Sequence, residues 1–143
     1  MSGLSYTYDG TAKPVTVNTT PSDLTVNVTY NGSVSIPINA GNYTVVGTVN
    51  NANYQGSATN TLVIGKATAL VTLSGLSQTY DGTAKPVTVN TTPSGLTVNV
   101  TYNGSVSIPI NAGSYTVVGT VNNVNYQGIA TNALVIGLSL IHI

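Results

Sequence analysis

Leu24-Thr25-Val26-Asn27-Val28-Thr29-Tyr30-Asn31-Gly32-Ser33-Val34-Ser35-Ile36-Pro37-Ile38 reads as two alternating runs folded about an Asn-Gly pair. Leu24, Val26, Val28 and Tyr30 alternate with Thr25, Asn27 and Thr29, and Val34, Ile36 and Ile38 keep the same rule. A period of two sets one face of a strand on a core and the other in water. Asn31 and Gly32 both tolerate the positive φ that a type I′ turn demands, so the stretch predicts a β-hairpin. The pattern extends outward. Val15 and Val17 alternate with Thr16 and Asn18, and Tyr43, Val45 and Val49 continue the rhythm farther on. Turn residues punctuate the runs at Asp9-Gly10, Thr20-Pro21-Ser22-Asp23, Ala40-Gly41 and Gln55-Gly56. No segment carries a sustained 3.6-residue stripe, so helix is expected to be at most a turn near residues 51–54.

The hairpin stretch is written again, letter for letter, as Leu96–Ile110. It is part of a larger repetition in which Ser2–Gly65 recurs as Ser74–Gly137, each residue 72 positions on. The aligned pairs that differ are Tyr6/Gln78, Asp23/Gly95, Asn42/Ser114, Ala52/Val124, Ser57/Ile129 and Thr61/Ala133. Such a period means two modules rather than one domain. We expect an all-β chain of two tandem small β-sandwiches, immunoglobulin-like or alternatively β-grasp-like, each with five or six short strands and arranged end to end. The first module is taken as residues 1–65, the second as 66–137, and residues 138–143 as a non-native tail. Lys66–Leu73 reads as a strand ahead of the second copy, and only Met1 stands ahead of the first. Module one is therefore expected to expose an unpaired strand edge. The apolar tail Leu138–Ile143 of a neighbouring molecule is placed to fill it, giving self-association. The tail resembles nothing else in the chain and is similar to translated library-adapter sequence, so the chain is expected to be a piece of a longer array.

Composition narrows the function classes. Apolar residues make up 41% of the 143, enough for a core. Charged residues make up only 4%, against about 25% in ordinary soluble proteins. With no net charge and no arginine, the chain has neither the field nor the guanidinium fork for nucleic acid, and no nucleic-acid partner is expected. No run approaches the roughly 20 apolar residues that span a bilayer, so no membrane insertion is expected. The absence of cysteine removes disulfides and thiolate metal sites.

Candidate chemistry is correspondingly thin. Asp9 and Lys13, with Asp81 and Lys85, account for most of the charges and sit in one motif. One reading is an isopeptide crosslink, which needs a desolvated, neutral lysine amine facing an Asn side chain. The favoured reading is an exposed, turn-closing Asp–Lys pair of small energetic weight. One Asp per repeat, with Asp23 added in the first, is too few for the six to eight oxygens of a calcium site. The nine tyrosines, in a chain without Phe or Trp, read as core bulk with hydroxyls at the rim rather than a sugar-stacking platform. The Tyr6/Gln78 position reads as a surface exception. His142, the only histidine, lies in the tail. No catalytic residue, metal site or cofactor is assigned, and the chain is not expected to be an enzyme.

Tyr8-Asp9-Gly10-Thr11-Ala12-Lys13-Pro14, Asn39-Ala40-Gly41-Asn42-Tyr43-Thr44-Val45 and Asn53-Tyr54-Gln55-Gly56 each recur in the second copy, at Tyr80–Pro86, Asn111–Val117 and Asn125–Gly128. On these motifs the chain resembles the MBG and YDG-type tandem repeat domains of bacterial surface proteins. The resemblance implies extracellular all-β repeats in adhesin-like or stalk proteins, with no catalytic residues to carry over. Two roles follow as expectations. One is a structural stalk whose only constant partners are adjacent repeats of the same polypeptide; the other is an array making weak contacts with a glycan or host protein.

Overall fold

The computed structural model describes residues 1–141. His142 and Ile143, which include the histidine set aside above, lie outside the described residues. The chain divides into two compact units, Met1–Ala67 and Thr68–Ile143. Both are all-β, and no helix occurs among the described residues. Small β-sandwich modules in tandem are what is found, and a β-grasp, which wraps a sheet about a helix, is not.

Unit 1 contains β1 (Ser5–Thr7), β2 (Val26–Tyr30), β3 (Gly41–Val49) and β4 (Ser57–Gly65). They form one sheet in the order β1-β4-β3-β2, with β1 parallel to β4 and the other pairs antiparallel. β5 (Ala67–Thr68) lies at the division between the units. Unit 2 contains β6 (Leu70–Ser74), β7 (Ser77–Thr79), β8 (Thr88–Thr92), β9 (Val98–Tyr102), β10 (Gly113–Val121), β11 (Tyr126–Gln127) and β12 (Ile129–Gly137). Its main sheet, β7-β12-β10-β9, repeats that of unit 1, and β6 and β8 pair antiparallel as a second layer.

The core follows from the alternation. In unit 1, Tyr30, Val45, Leu62 and Ile64 are buried, with Leu4, Val15, Val28 and Tyr43 packed against them. In unit 2 the matching Tyr102, Val117, Leu134 and Ile136 are joined by Ala69, Val71 and Leu73 from the segment through β6. Burying Val71 and Leu73 stabilises unit 2 by about 1.5–3 kcal/mol each. The second layer is shorter in unit 1, where Thr16 makes an isolated bridge to Ser2 and no strand corresponds to β8. Beyond that bridge residues 17–20 form no strand, in place of the strand edge expected there.

The Asn-Gly turn forms as predicted. Asn31 has φ 47° and Gly32 has φ 81°, and Tyr30 and Ser33 exchange backbone hydrogen bonds of 2.7 and 2.9 Å. The Asn31 side chain then accepts from the Thr44 N–H at 2.7 Å, tying the turn to β3. The Tyr that opens β3 closes a corner: the Tyr43 hydroxyl donates to the Asn39 carbonyl at 2.8 Å, and Tyr115 to Asn111 at 2.7 Å. A tyrosine hydroxyl bonded to a backbone carbonyl a few residues upstream is a corner device of β-sandwiches.

The second arm of the hairpin does not form. Val34–Ile38 is not a strand, and Val34 is 80% exposed. Three local causes divert it. The Ser33 hydroxyl captures the Ser35 N–H at 3.1 Å, Pro37 has no N–H to offer a ladder, and the Pro37 carbonyl accepts instead from the Lys13 N–H at 2.9 Å.

Replacing Asn31 by Ala removes both the tolerance of left-handed backbone and the bond to Thr44. The expected cost is about 2 kcal/mol in urea unfolding. Asn31→Gly keeps the turn geometry and should lose only about 1 kcal/mol.

Candidate functional site

The charged motif folds into a closed loop. The Tyr8 N–H donates to the Gly65 carbonyl at 2.8 Å, fixing the loop to the end of β4. Asp9 Oδ1 accepts from the Thr11 N–H at 2.9 Å, from the Thr11 hydroxyl at 2.6 Å and from Lys13 Nζ. Lys13 Nζ also donates to Thr11 Oγ1 at 2.8 Å and stands 5.7 Å from the centroid of the Tyr6 ring. Unit 2 repeats the arrangement with Asp81, Thr83 and Lys85, where Lys85 Nζ lies 2.6 Å from Asp81 Oδ2.

The Asp–Lys pairing is as expected, but Lys13 is not solvated. It is only 6% exposed while the Asp9 side chain stays open to water. The cause is non-local: the Tyr6 ring faces its ammonium, and its backbone N–H is held by Pro37. Where Gln78 replaces Tyr6, the Lys85 side chain is somewhat more exposed. Burial does not make Lys13 a nucleophile, because its nitrogen is held by a carboxylate oxygen and a hydroxyl, not against an Asn carboxamide. The donors from Lys13 and then Thr11 hold the Asp9 carboxyl well below the usual carboxylate range, and Lys85 and Thr83 do the same to Asp81.

The tyrosines divide by role. Tyr30 and Tyr102 are core residues whose hydroxyl oxygens each accept a backbone N–H at 3.1 Å, from Val15 and Val87. Tyr43 and Tyr115 close the corners. Tyr54 and Tyr80 are exposed, departing from the reading as core bulk. The Tyr6/Gln78 position is half-buried, not a surface site. Substitution works there because each side chain satisfies a nearby carbonyl: the Tyr6 hydroxyl donates to Pro14 at 3.0 Å and Gln78 Nε2 to Gly75 at 3.1 Å.

Two concavities are notable. In unit 2 a shallow hollow of about 320 Å³ lies among Tyr102, Ile108, Pro109, Ile110 and Tyr115, with no acid or imidazole in its lining. In unit 1 a groove of about 220 Å³ runs between Val17, Leu24, Val26 and Val49 on one side and Tyr54 and Gly56 on the other. Its rim is the Asn53–Gly56 motif, held by the Asn51 carboxamide, which accepts from the N–H groups of Asn53 at 2.8 Å and Tyr54 at 3.2 Å. Sequence reasoning missed the groove's walls, which come from segments far apart in the chain. Among the described residues, no three His, Cys, Asp or Glu side chains converge as a metal site would require.

The profile of the MBG domain matches residues 1–68 and again residues 69–139. No curated protein matches the chain.

A carboxyl whose pKa is lowered by folding adds stability above its ordinary pKa, and that stability is lost as pH falls. Thermal unfolding should therefore be steady from neutral pH to about pH 4 and fall below it. The double variant Asp9→Asn, Asp81→Asn should flatten that acid limb in a calorimetric pH series.

Proposed function

The chain belongs to the MBG domain family, and on that premise we propose that it is a pair of structural spacer modules from the stalk of a bacterial extracellular, adhesin-like protein, carrying out no catalysis. The observation that carries this reading is a near-identical module written twice with its reactive groups tied up inside it. Four of the six charged side chains, Asp9, Lys13, Asp81 and Lys85, are spent on closing equivalent loops. The tyrosine hydroxyls described above serve backbone groups. What is left facing water is mainly Thr, Asn and Ser, which hydrate a surface without offering a nucleophile or a proton relay. The work of such a module is to add length, and the number of repeats sets the reach of whatever the stalk presents. The extracellular bacterial setting rests on the resemblance of the three recurring motifs to surface-protein repeats.

A second reading is favoured by one observation. Val34, Ile36 and Ile38 are 80%, 43% and 45% exposed, and the equivalent Val106, Ile108 and Ile110 repeat the same row in unit 2. A repeated apolar row suits a multivalent array in which each module weakly contacts a glycan or host protein and avidity supplies strength.

Two measurements separate the readings. For a spacer, small-angle scattering of two- and four-module chains should give a maximum dimension rising in proportion to module number, with no signal on glycan or host-protein arrays. For a binding array, the array signal should rise steeply from two modules to four and fall when Val34 and Val106 are changed to Ser.

A further inference from the structure

We infer that the groove on unit 1 is a strand-acceptor site whose occupant is the segment leaving the last strand of another MBG module. That segment is an extended strand of the pattern Ala69-x-Val71, bound antiparallel along Asn18–Thr20, beyond the place that Met1 already holds. The template is unit 2, where the same walls enclose such a strand.

The main walls of the groove recur in unit 2, the lining residue Ser57 becoming Ile129. Val17, Leu24, Val26, Val49 and Tyr54 of unit 1 recur as Val89, Leu96, Val98, Val121 and Tyr126 of unit 2, with no substitution among them. In unit 2 the space before Gly119 is taken by Leu73 and Val71, whose side-chain carbons lie 3.3 and 3.6 Å from where a Cβ would stand. The Ala69 carbonyl crosses Gly128 so closely that a Cβ there would lie 2.5 Å from its oxygen. In unit 1, Met1 stands at the position of Leu73, and its Cε reaches the space before Gly47. At Gly56, the counterpart of Gly128, the nearest neighbour of a Cβ is Val49 Cγ2 at 3.6 Å. The groove is thus the space that Ala69 and Val71 fill in unit 2.

Burial and hydrogen bonding agree. Val121 is buried where Val49 is half-buried, and Tyr126 and Ala130 are half-buried where Tyr54 and Ala58 are exposed. The Ala69 N–H donates to the Gln127 carbonyl at 2.8 Å and β11 forms there, while Tyr54–Gln55 is not a strand. The Ser2–Thr16 bridge has the register of Ser74–Thr88 in β6–β8. Continued along unit 1, that register sets incoming residues opposite Asn18 and Thr20, as Thr72 and Leu70 stand opposite Asn90 and Thr92. Backbone pairing along an edge supplies affinity, and alternate side-chain pockets supply specificity.

The chemistry of the occupant is equally constrained. A small residue is required where the strand passes Gly56, and a β-branched one where Val71 sits before Gly119. In this chain the segment that directly follows the last strand of unit 1, Lys66–Thr72, meets both requirements. The exposed Leu138–Ile141 of a second copy is a poorer fit, because the repeat alignment sets Ile141 where Ala69 stands.

The test is calorimetric titration of the synthetic peptide Lys66–Thr72, which stops short of the positions held by Met1 and Ser2, into the full chain. One peptide per chain should bind, and the peptide carrying Val71→Asp should bind at least tenfold more weakly. The chain variant Gly56→Ala, whose new methyl meets nothing nearer than 3.6 Å within unit 1, should keep its circular dichroism and melting behaviour yet lose at least tenfold in affinity. Absence of binding, two peptides per chain, or equal binding of either variant would overturn the assignment. So would a dimer of the chain that disappears on deleting residues 138–143, since the tail would then be the occupant.

Discussion

A four-stranded sheet with one apolar face is stable in water only when something is laid across that face, and a strand drawn from outside the sheet does this work in unit 2. Through Ala69, Val71 and Leu73, the segment entering β6 covers the sheet while its backbone completes β8. The same few residues thus satisfy two requirements, removing apolar surface from water and pairing an edge that would otherwise stay open. Unit 1 meets them only where Met1 and Ser2 reach, and its second layer shrinks to one bridge. A module of this size has little apolar area to spare, because small domains bury a smaller share of their surface than large ones. The contribution of one strand is therefore a large fraction of the whole.

With so few charges, the polar side of the fold is organised by hydroxyls and carboxamides. Tyr43 closes its corner on Asn39, Tyr30 caps the Val15 N–H, Asn31 catches Thr44 and Asn51 holds its own turn. Each bond is modest in net value, but each satisfies a backbone group where the chain leaves a regular strand. The Asp9–Thr11–Lys13 loop belongs to this set. Its carboxylate is engaged by local donors, and its lysine ammonium faces the ring of Tyr6. Charge shapes the loop here.

How much of this was legible in the sequence depends on whether the information was local. The turn at Asn31-Gly32 and the alternation in β2 and β3 are properties of adjacent residues, and both were readable. Val34–Ile38 has the same alternation and is no strand. Alternation shows that a segment is able to pair, not that a partner edge is available, and Pro37 with Ser33 decides against it. Lys13 was misjudged for a related reason: a Gly-Thr-Ala-Lys-Pro run looks solvated until the ring of Tyr6 and the carbonyl of Pro37 arrive from elsewhere. The walls of the groove in unit 1 were not readable, since they join residues 17–26, 47–49 and 54–58.

The two units form a natural control for that distinction. Val49 and Val121, or Tyr54 and Tyr126, are the same residue in each copy and yet differ in burial, with Ala52/Val124 and Ser57/Ile129 the substitutions nearby. In unit 2 the strand through Ala69 and Val71 covers the face that stays open in unit 1. In a longer array, the stability of a module would then contain a term owed to the segment ahead of it, the situation of repeat proteins whose folding free energy sums intrinsic and nearest-neighbour parts. Near-identity makes this coupling double-edged. A groove that accepts the strand of its predecessor has no means in its walls of refusing the same strand from any other copy, so correct pairing rests on covalent order and proximity, not on side-chain recognition.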